Sequence, residues 1–155
     1  MKIGILQTGI AADALIKKHG DYPDNFKTFL QDRGFQFEVY EVINNIFPED
    51  IYECDGWLVT GSRHGAYEAH DWITPLEKFI CDLYEADIPL IGVCFGHQII
   101  AQALGGVVEK FKNGWTVGRQ VYENKNGEKI KLNAYHQDQV ISPPEWGTNV
   151  FGNEK

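Results

Sequence analysis

The chain has 155 residues, 43% of them hydrophobic and 23% charged, which is typical of a soluble globular protein with a substantial core. Its 14 lysines and arginines stand against 22 aspartates and glutamates, so the formal net charge is −8. Binding to nucleic acid or to an anionic membrane surface depends on clustered basic residues, and this charge balance therefore argues against both.

The first third of the chain predicts a strand, a helix and a second strand. Residues 2–6 form a short β pattern, and residues 35–39 alternate apolar and polar side chains as a half-buried strand does. Between them, Asp24 is a candidate N-cap, and Gly34 marks the end of the helix. Three apolar residues follow the cap at helical spacing: Phe26, Phe29 and Leu30.

The middle third predicts two more strands and two more helices. Residues 56–60 are a buried-strand candidate that stops at Gly61, and residues 89–93 form the most apolar strand pattern of the chain. Helices are predicted over residues 72–86 and 97–104. The first of these helices carries four apolar residues on one face: Ile73, Leu76, Ile80 and Leu83.

The last third is rich in β patterns, with strands predicted over residues 107–111, 117–123 and 129–134 and a turn at Asn126-Gly127. The earlier alternation of strands and helices favours a parallel sheet flanked by helices. We therefore predict a doubly wound, mostly parallel α/β fold in a single domain over residues 1–155.

Three cysteines occur at unrelated spacings: Cys54, Cys81 and Cys94. An odd number favours free thiols in a reducing compartment over a disulfide framework or a zinc site. The first seven residues lack the apolar segment and cleavage site of a signal peptide. We expect a cytoplasmic protein, in which Cys54 and Cys81 are inert buried thiols.

Cys94 lies between a predicted strand and a predicted helix, with Gly92 and Gly96 two residues away on either side. This spacing is typical of the nucleophile elbow, the strained strand-to-helix turn that presents a nucleophile. Larger side chains at the two glycines would collide with the backbone there. The N-terminus of the following helix favours the reactive thiolate. The N–H of Phe95 is placed to donate to an oxyanion. The sequence therefore predicts that Cys94 is a nucleophile.

The segment Gly92-Val93-Cys94-Phe95-Gly96-His97-Gln98 resembles the G-x-C-x-G-x-Q signature of class I glutamine amidotransferases. The likeness covers nearly the whole chain and is nearest to stand-alone proteins similar to the glutaminase domain of GMP synthase. The resemblance implies a flavodoxin-like fold, release of ammonia from glutamine, and no cofactor. Three further segments resemble loops of that subgroup in the same order: residues 60–67 with Trp72, residues 113–118, and residues 134–140.

By this resemblance, Gly61 and Phe95 supply the N–H groups that bind the oxyanion, and Gln98 contacts the substrate glutamine. A glycine directly after a central strand also lets the main chain approach a ligand. An ordinary turn at Gly61, and a solvated or capping role for Gln98, are the alternatives. The backbone around three later residues would hold the amino-acid end of the substrate: Tyr135, Gln137 and Asp138.

The family takes its general acid, a histidine oriented by a glutamate, from a late His-Pro-Glu segment, and these 155 residues contain no His-Pro-Glu. We therefore expect a C-terminally incomplete domain, either a truncated product or a family member that has lost the function. His136 aligns with a different family histidine, so the resemblance implies no base role for it. Its expected place near the glutamine pocket makes it a candidate assisting base. His97 is expected to face away from Cys94.

His64 and His70 flank an acidic loop and are of a residue type that binds metals. Because no third ligand is evident at a suitable spacing, we interpret the segment as a solvated loop and predict no metal site. Trp115, beside a glycine, is a candidate cover for the pocket.

Three functions are compatible with these features. The first is a glutaminase that forms a γ-glutamyl thioester on Cys94 and passes ammonia to a synthetase partner. The second is a hydrolase of γ-glutamyl peptides or conjugates, and the third is a catalytically incomplete chain that binds glutamine or a partner. Without the last strands of the family fold, an apolar sheet surface is expected to be exposed and to favour self-association.

Overall fold

A parallel sheet of four strands forms from the first two thirds of the chain, in a computed structural model that describes residues 1–112 and 114–152. Asn113, which begins one of the segments that carry the family resemblance, lies outside the described residues, as do residues 153–155. The strands are β1 (Lys2–Leu6), β2 (Gln36–Tyr40), β3 (Gly56–Val59) and β4 (Leu90–Gly92).

The strand order is β2-β1-β3-β4, and every neighbouring pair is parallel. This is the start of the flavodoxin-like order, in which ligands bind beyond the carboxyl ends of the strands where the order reverses. That point lies between β1 and β3. The predicted parallel α/β sheet is confirmed.

The core lies between this sheet and two helices, α3 (Ile73–Glu85) and α4 (Phe95–Ala103), which pack against each other and against β4. The predicted apolar face of α3 is confirmed, since Leu76, Ile80 and Leu83 are fully buried. Trp57 of β3 packs edge-on against Phe79 of α3, with ring centroids 4.9 Å apart. Apolar burial of this kind is the main stabilising contribution to the fold.

Two helices precede the second strand: α1 (Asp13–His19), which was not predicted, and α2 (Tyr22–Leu30). The prediction of Asp24 as the N-cap of α2 is wrong, because Asp21 is the cap. Asp24 instead completes a capping box, in which its carboxylate accepts the N–H of Asp21 at 3.0 Å. Phe29, expected among the apolar positions of this helix, is 83% exposed.

The C-terminal part is β-rich, as predicted, and its strands pair antiparallel. Strand β5 (Val107–Lys110) pairs with β8 (Asp138–Ser142), while β6 (Thr116–Asn124) lies between β7 (Lys129–His136) and β9 (Phe151–Gly152). The turn predicted between β6 and β7 is confirmed: Gly127 has a φ of 80°, and its N–H donates to the carbonyl of Asn124 at 3.0 Å.

Strand β4 is at the edge of the four-stranded sheet, and apolar side chains are exposed there: Ile91 is 64% exposed, and Val93 just beyond the strand is 40% exposed. An exposed apolar edge of this kind is the surface on which the expected self-association depends. Within the described residues, no helix has both the length and the apolar character needed to cross a bilayer.

Candidate active site around Cys94

Cys94 is the N-cap of α4 and has a φ of 56° and a ψ of −109°. This left-handed conformation costs a non-glycine residue about 1–3 kcal/mol, which the surrounding structure must offset. A Cβ at Gly92 would lie 2.3 Å from the backbone of Gly96, and a Cβ at Gly96 would lie 2.3 Å from the carbonyl oxygen of Val59. The predicted collisions are confirmed. Helix α4 begins at Phe95, two residues before its predicted start.

Cys94 as a whole residue is exposed to solvent. Protein atoms around its thiol nevertheless displace part of the water that would hydrate it, and this burial raises the pKa of the thiol. The N–H of Phe95 acts in the opposite direction and lowers the pKa, as a helix N-terminus should. The negative charge of Asp138 raises it further. The helix N-terminus thus favours the thiolate as predicted, but burial and Asp138 outweigh it, and the net direction of the pKa shift is upward.

Gly61 follows β3 and lies beside the nucleophile. A Cβ built on Gly61 would be 3.8 Å from the Cβ of Cys94 and 4.0 Å from the carbonyl oxygen of Val93. Two fully buried hydroxyls fix the chain here: Thr8 Oγ1 donates to the carbonyl of Thr60 at 3.0 Å, and the N–H of Thr8 donates to Thr60 Oγ1 at 3.0 Å. The ends of β1 and β3 are thereby linked next to Cys94.

Asp138, at the start of β8, is a hydrogen-bonding centre of the site. Its backbone carbonyl accepts Gln98 Nε2 at 2.9 Å and lies 3.2 Å from His136 Nδ1. Its carboxylate accepts the hydroxyl of Tyr67 at 2.9 Å. Burial and this bond to a carboxylate together raise the pKa of Tyr67 to about 12, so the hydroxyl keeps its proton at neutral pH.

Gln98 is only 7% exposed, and its amide is held by the Asp138 carbonyl. The alternative of a solvated side chain is therefore wrong. Gln98 ties the elbow helix to β8, and it lines both cavities that open at Cys94. Contact between Gln98 and a substrate stays a prediction.

His136 has a defined tautomer in this arrangement. A carbonyl oxygen can only accept, so Nδ1 must carry the proton in its hydrogen bond to Asp138. In the neutral ring the lone pair is then on Nε2, which is the form that a general base requires.

His97 lines the same cavity as Cys94 and His136, so the prediction that it faces away is wrong. The physical reason is helical spacing: residues 94, 97 and 98 are three and four positions apart and share one face of α4. Burial and the neighbouring His136 lower the pKa of His97, which favours its neutral form.

Two open cavities of about 410 and 430 Å³ meet at Cys94, which is within the usual range for ligand sites. The second cavity also includes Gly61, Trp115 and two basic residues, Arg63 and Lys110. Phe95 is the exception among the predicted site residues, because its ring is buried against Trp72 and only its N–H faces the thiol. The other predicted site residues all line the second cavity: Cys94, Gly61, Gln98, Tyr135, His136, Gln137 and Asp138.

The loop at residues 64–70 differs from the prediction. Glu68 is a third group beside the two histidines, with its Oε2 atom 3.4 Å from His64 Nδ1 and 2.8 Å from His70 Nε2. The premise that no third ligand is available is therefore wrong. The hydrogen bond from His70 is the largest cause of a lowered pKa at Glu68. The sequence alone did not indicate that Glu68 lies beside both histidines. The loop turns back on itself between residues 65 and 68, where the N–H of Glu68 donates to the carbonyl of Gly65.

The other two thiols are unlike Cys94. Cys54 is buried in the core, and Cys81 is partly buried with its Sγ 3.3 Å from the carbonyl of Ala103. Burial is the largest cause of the raised pKa of each. Neither lines a cavity with the residues around Cys94.

Comparison with known proteins identifies the family of the chain. The family model described as "Glutamine amidotransferase class-I" matches residues 16–152. The chain belongs to the class I glutamine amidotransferase family. The sequence resemblance is thereby confirmed.

Among its family relatives, the chain is 34% identical to γ-glutamyl peptidase 4 of Arabidopsis thaliana over 144 residues, which cover 83% of this chain and 57% of that protein. It is 29% identical to a glutamine-hydrolysing GMP synthase of Leptospira interrogans over 138 residues, 81% of this chain and 22% of that protein. The chain spans less than two thirds of the length of the first curated relatives it matches, 57% and 62% for two Arabidopsis peptidases.

A solved glutamine amidotransferase from Methylobacillus flagellatus superposes with a TM-score of 0.80 at 21% identity. The match covers 99% of this chain and 61% of that structure. The flavodoxin-like fold of the class I amidotransferases is therefore confirmed for this chain.

Proposed function

We propose that the chain is a glutaminase domain in which Cys94 attacks the side-chain amide carbon of glutamine. The observation that carries the proposal is the elbow: a cysteine held at a φ of 56° with the Phe95 N–H directed at its sulfur and the Gly61 main chain beside it. A thiol, two oxyanion donors and an open cavity are the elements that acyl transfer to sulfur requires.

The reaction divides into two steps. Sγ forms a bond to the amide carbon while its proton passes to a base, and the N–H groups of Gly61 and Phe95 bind the oxyanion. The C–N bond then breaks, the nitrogen takes up the proton, and ammonia leaves a γ-glutamyl thioester. Water attacks the thioester, gives a proton back to the thiol through the same base, and releases glutamate.

His136 is our candidate for that base. The raised pKa of Cys94 means that the thiol needs a proton acceptor before it can attack. His136 lines the same two cavities as Cys94, and its Nδ1 is held by a backbone carbonyl instead of a carboxylate. A carbonyl orients the ring but stabilises the imidazolium less than a carboxylate would, so we expect slow turnover.

The charges of the second cavity suit an amino acid. The carboxylate of Asp138 complements an α-ammonium group, and Arg63 or Lys110 complements an α-carboxylate. Main-chain groups at Tyr135 and Gln137 would complete this contact, with Gln98 beside them through its bond to the Asp138 carbonyl.

A γ-glutamyl peptide or conjugate is the second candidate substrate, favoured by the 34% identity to a γ-glutamyl peptidase and by the volume of the second cavity at Cys94, about 430 Å³. Both substrates present the same amide carbon to sulfur and differ only in the leaving amine. Competition kinetics between glutamine and a γ-glutamyl dipeptide decides between them, because a specific glutaminase is inhibited only weakly by the dipeptide.

For a glutaminase, the ammonia would pass to a synthetase partner in the cytoplasm, as expected from the likeness to GMP synthase. The exposed edge at Ile91 and Val93 is the surface we assign to such a partner or to a second copy of the chain. Light scattering over a concentration series tests for binding of a second copy, and a monomer at every concentration excludes it.

The deciding experiment measures ammonia release from glutamine by the chain and by Cys94→Ala, with Cys81→Ser as the matched control. We expect release that is lost in Cys94→Ala and kept in Cys81→Ser, whose thiol lies outside both cavities. If no variant releases ammonia but glutamine still binds, the third alternative, a catalytically incomplete binding chain, replaces the enzyme.

The role of His136 is tested by His136→Gln beside His19→Gln, which lies at the exposed end of α1. Loss of a general base is expected to lower kcat by about 10²-fold or more, with a change in the pH profile, while His19→Gln has no effect. Equal rates in both variants would remove His136 from the mechanism.

A further inference from the structure

We propose that His64, Glu68 and His70 form a binding site for a divalent transition-metal ion of the Zn²⁺ type. One ligand atom of each residue lies within 4.8 Å of the others. Two imidazoles and one carboxylate make a donor set that zinc sites use. The site is distinct from the chemistry assigned to Cys94, although His64 and Glu68 lie on the wall of the second cavity.

The separations are close to those of a coordinated ion. Bonds of about 2.0–2.2 Å in a tetrahedral arrangement separate neighbouring ligand atoms by about 3.4 Å. Glu68 Oε2 is 3.4 Å from His64 Nδ1, which meets this value, and 2.8 Å from His70 Nε2, which is a hydrogen-bond length. Binding an ion therefore needs an outward movement of His70 relative to Glu68, while the two imidazole ligand atoms already lie within 4.8 Å of each other.

The two imidazoles are already held in place by the buried ring of Trp72. His70 stacks on Trp72 with ring centroids 5.8 Å apart and planes 9° apart. His64 lies edge-on to both rings, 4.3 Å from His70 and 6.0 Å from Trp72. Such packing limits the rotamers of the imidazoles before any ion arrives, which lowers the entropic cost of binding.

The backbone of the loop is fixed as well. The N–H of His64 donates to Ser62 Oγ at 3.2 Å, and the N–H of Glu68 donates to the carbonyl of Gly65 at 3.0 Å. Ala66 is fully buried, and its carbonyl accepts Gln102 Nε2 of α4 at 2.9 Å. Three protein ligands on such a loop leave the fourth position of a tetrahedral ion open to water or to another ligand.

The test is calorimetric titration with Zn²⁺ of the full chain carrying Cys94→Ser, which removes the one thiol that is exposed beside other histidines. We expect one Zn²⁺ per chain. Loss of a direct ligand in His64→Gln or His70→Gln is expected to weaken binding by at least about tenfold. Glu68→Gln keeps the size of the side chain and should weaken binding similarly, with the fold of each variant checked by circular dichroism.

The matched control is the double variant His97→Gln, His136→Gln, which removes the other pair of histidines that line one cavity. It is expected to bind Zn²⁺ as the parent does, and Mg²⁺ is expected to give no binding because imidazole suits hard cations poorly. The assignment would be overturned by absence of Zn²⁺ binding, by loss of Zn²⁺ binding in the double variant, or by Mg²⁺ binding of equal affinity. None of these readouts depends on release of ammonia.

Discussion

Strand β3 and the β6–β7 hairpin meet the active site from two sides and differ sharply in burial. All four residues of β3 are buried, whereas of the eight residues of β7 only Ala134 is buried and β6 has none. The oxyanion glycine follows β3, an interior strand of the sheet, and the nucleophile joins the edge strand β4 to the partly buried helix α4. Tyr135 and His136, which approach from the other side, belong to an exposed ribbon.

This difference in burial indicates that different interactions hold the two halves of the site in place. A strained turn at Cys94 persists only where close packing prevents relaxation, and the core around β3 and α4 provides that packing. On the hairpin side, less apolar surface is buried, and polar contacts add to the packing of Val140 against the core: those of Gln98 and Tyr67 to Asp138 and of the Phe111 N–H to the Gln137 carbonyl at 2.9 Å. Each is worth about 1 kcal/mol, so this side should open more readily.

The largest expected effect compares two leucines. Leu76 is fully buried in the core, and Leu132 in the hairpin is 53% exposed. Leu76→Ala should lower the free energy of unfolding by about 3 kcal/mol, because it loses apolar burial and leaves a cavity. Leu132→Ala should change it by no more than about 0.5 kcal/mol. Urea denaturation measures both, and similar losses would show that the hairpin packs as tightly as the core.

A second comparison uses two glycines. Gly96→Ala places a Cβ 2.3 Å from the carbonyl oxygen of Val59, so it should cost about 2 kcal/mol and displace the elbow. Gly105→Ala meets nothing within 4 Å but has a φ of 92°, so it should cost about 1 kcal/mol and leave the elbow unchanged. Urea denaturation and the alkylation rate of Cys94 together distinguish the two. An unaltered alkylation rate in Gly96→Ala would argue against a packing constraint at the elbow.

A third test removes the main tie between the two regions. Gln98→Ala loses the 2.9 Å bond to the Asp138 carbonyl and should cost about 1 kcal/mol. Amide hydrogen exchange in β8 should accelerate while that in β3 does not. Gln36→Ala on an exposed position of β2 is the control. Unchanged protection of β8 would mean that other contacts hold the strand.

The smallest expected effect concerns the thiol. Asp138→Asn removes a negative charge that raises the pKa of Cys94, so that pKa should fall, although burial, the larger cause, still acts. At any pH below the thiol pKa, more thiolate is then present and alkylation by iodoacetamide is faster. Mass spectrometry of the Cys94 peptide across a pH series measures this. A pH profile identical to that of the parent would mean that Asp138 is too well screened to matter.

The residues of the elbow and of the sheet could be predicted because they obey local rules. Glycine spacing around Cys94 and the apolar run of β3 depend on backbone sterics and burial, which act over a few residues. Helix α1 was missed because none of its seven residues is buried and so no apolar periodicity marks it. Strands β8 and β9 were missed because they are short and because their partners, β5 and β6, are distant in sequence.

The errors in the site have a common origin in contacts between distant or folded-back segments. The pKa of Cys94 is raised mainly by burial and also by the charge of Asp138, 44 positions away along the chain, and no local pattern reports either cause. Glu68 joins the two histidines only because the loop reverses at Gly65. The position of His97, by contrast, could have been predicted from its spacing to Cys94 along α4.

The Asp138 carbonyl that holds both Gln98 and His136 belongs to the peptide unit and not to a side chain. Alanine scanning therefore cannot detect the contribution of this carbonyl, because every substitution at position 138 keeps the same acceptor. A main-chain change is needed: an ester in place of the amide between residues 138 and 139 would leave all side chains intact and weaken the carbonyl as an acceptor. The contacts of this carbonyl and those of the Asp138 carboxylate, such as its bond to Tyr67, can therefore be removed independently of each other.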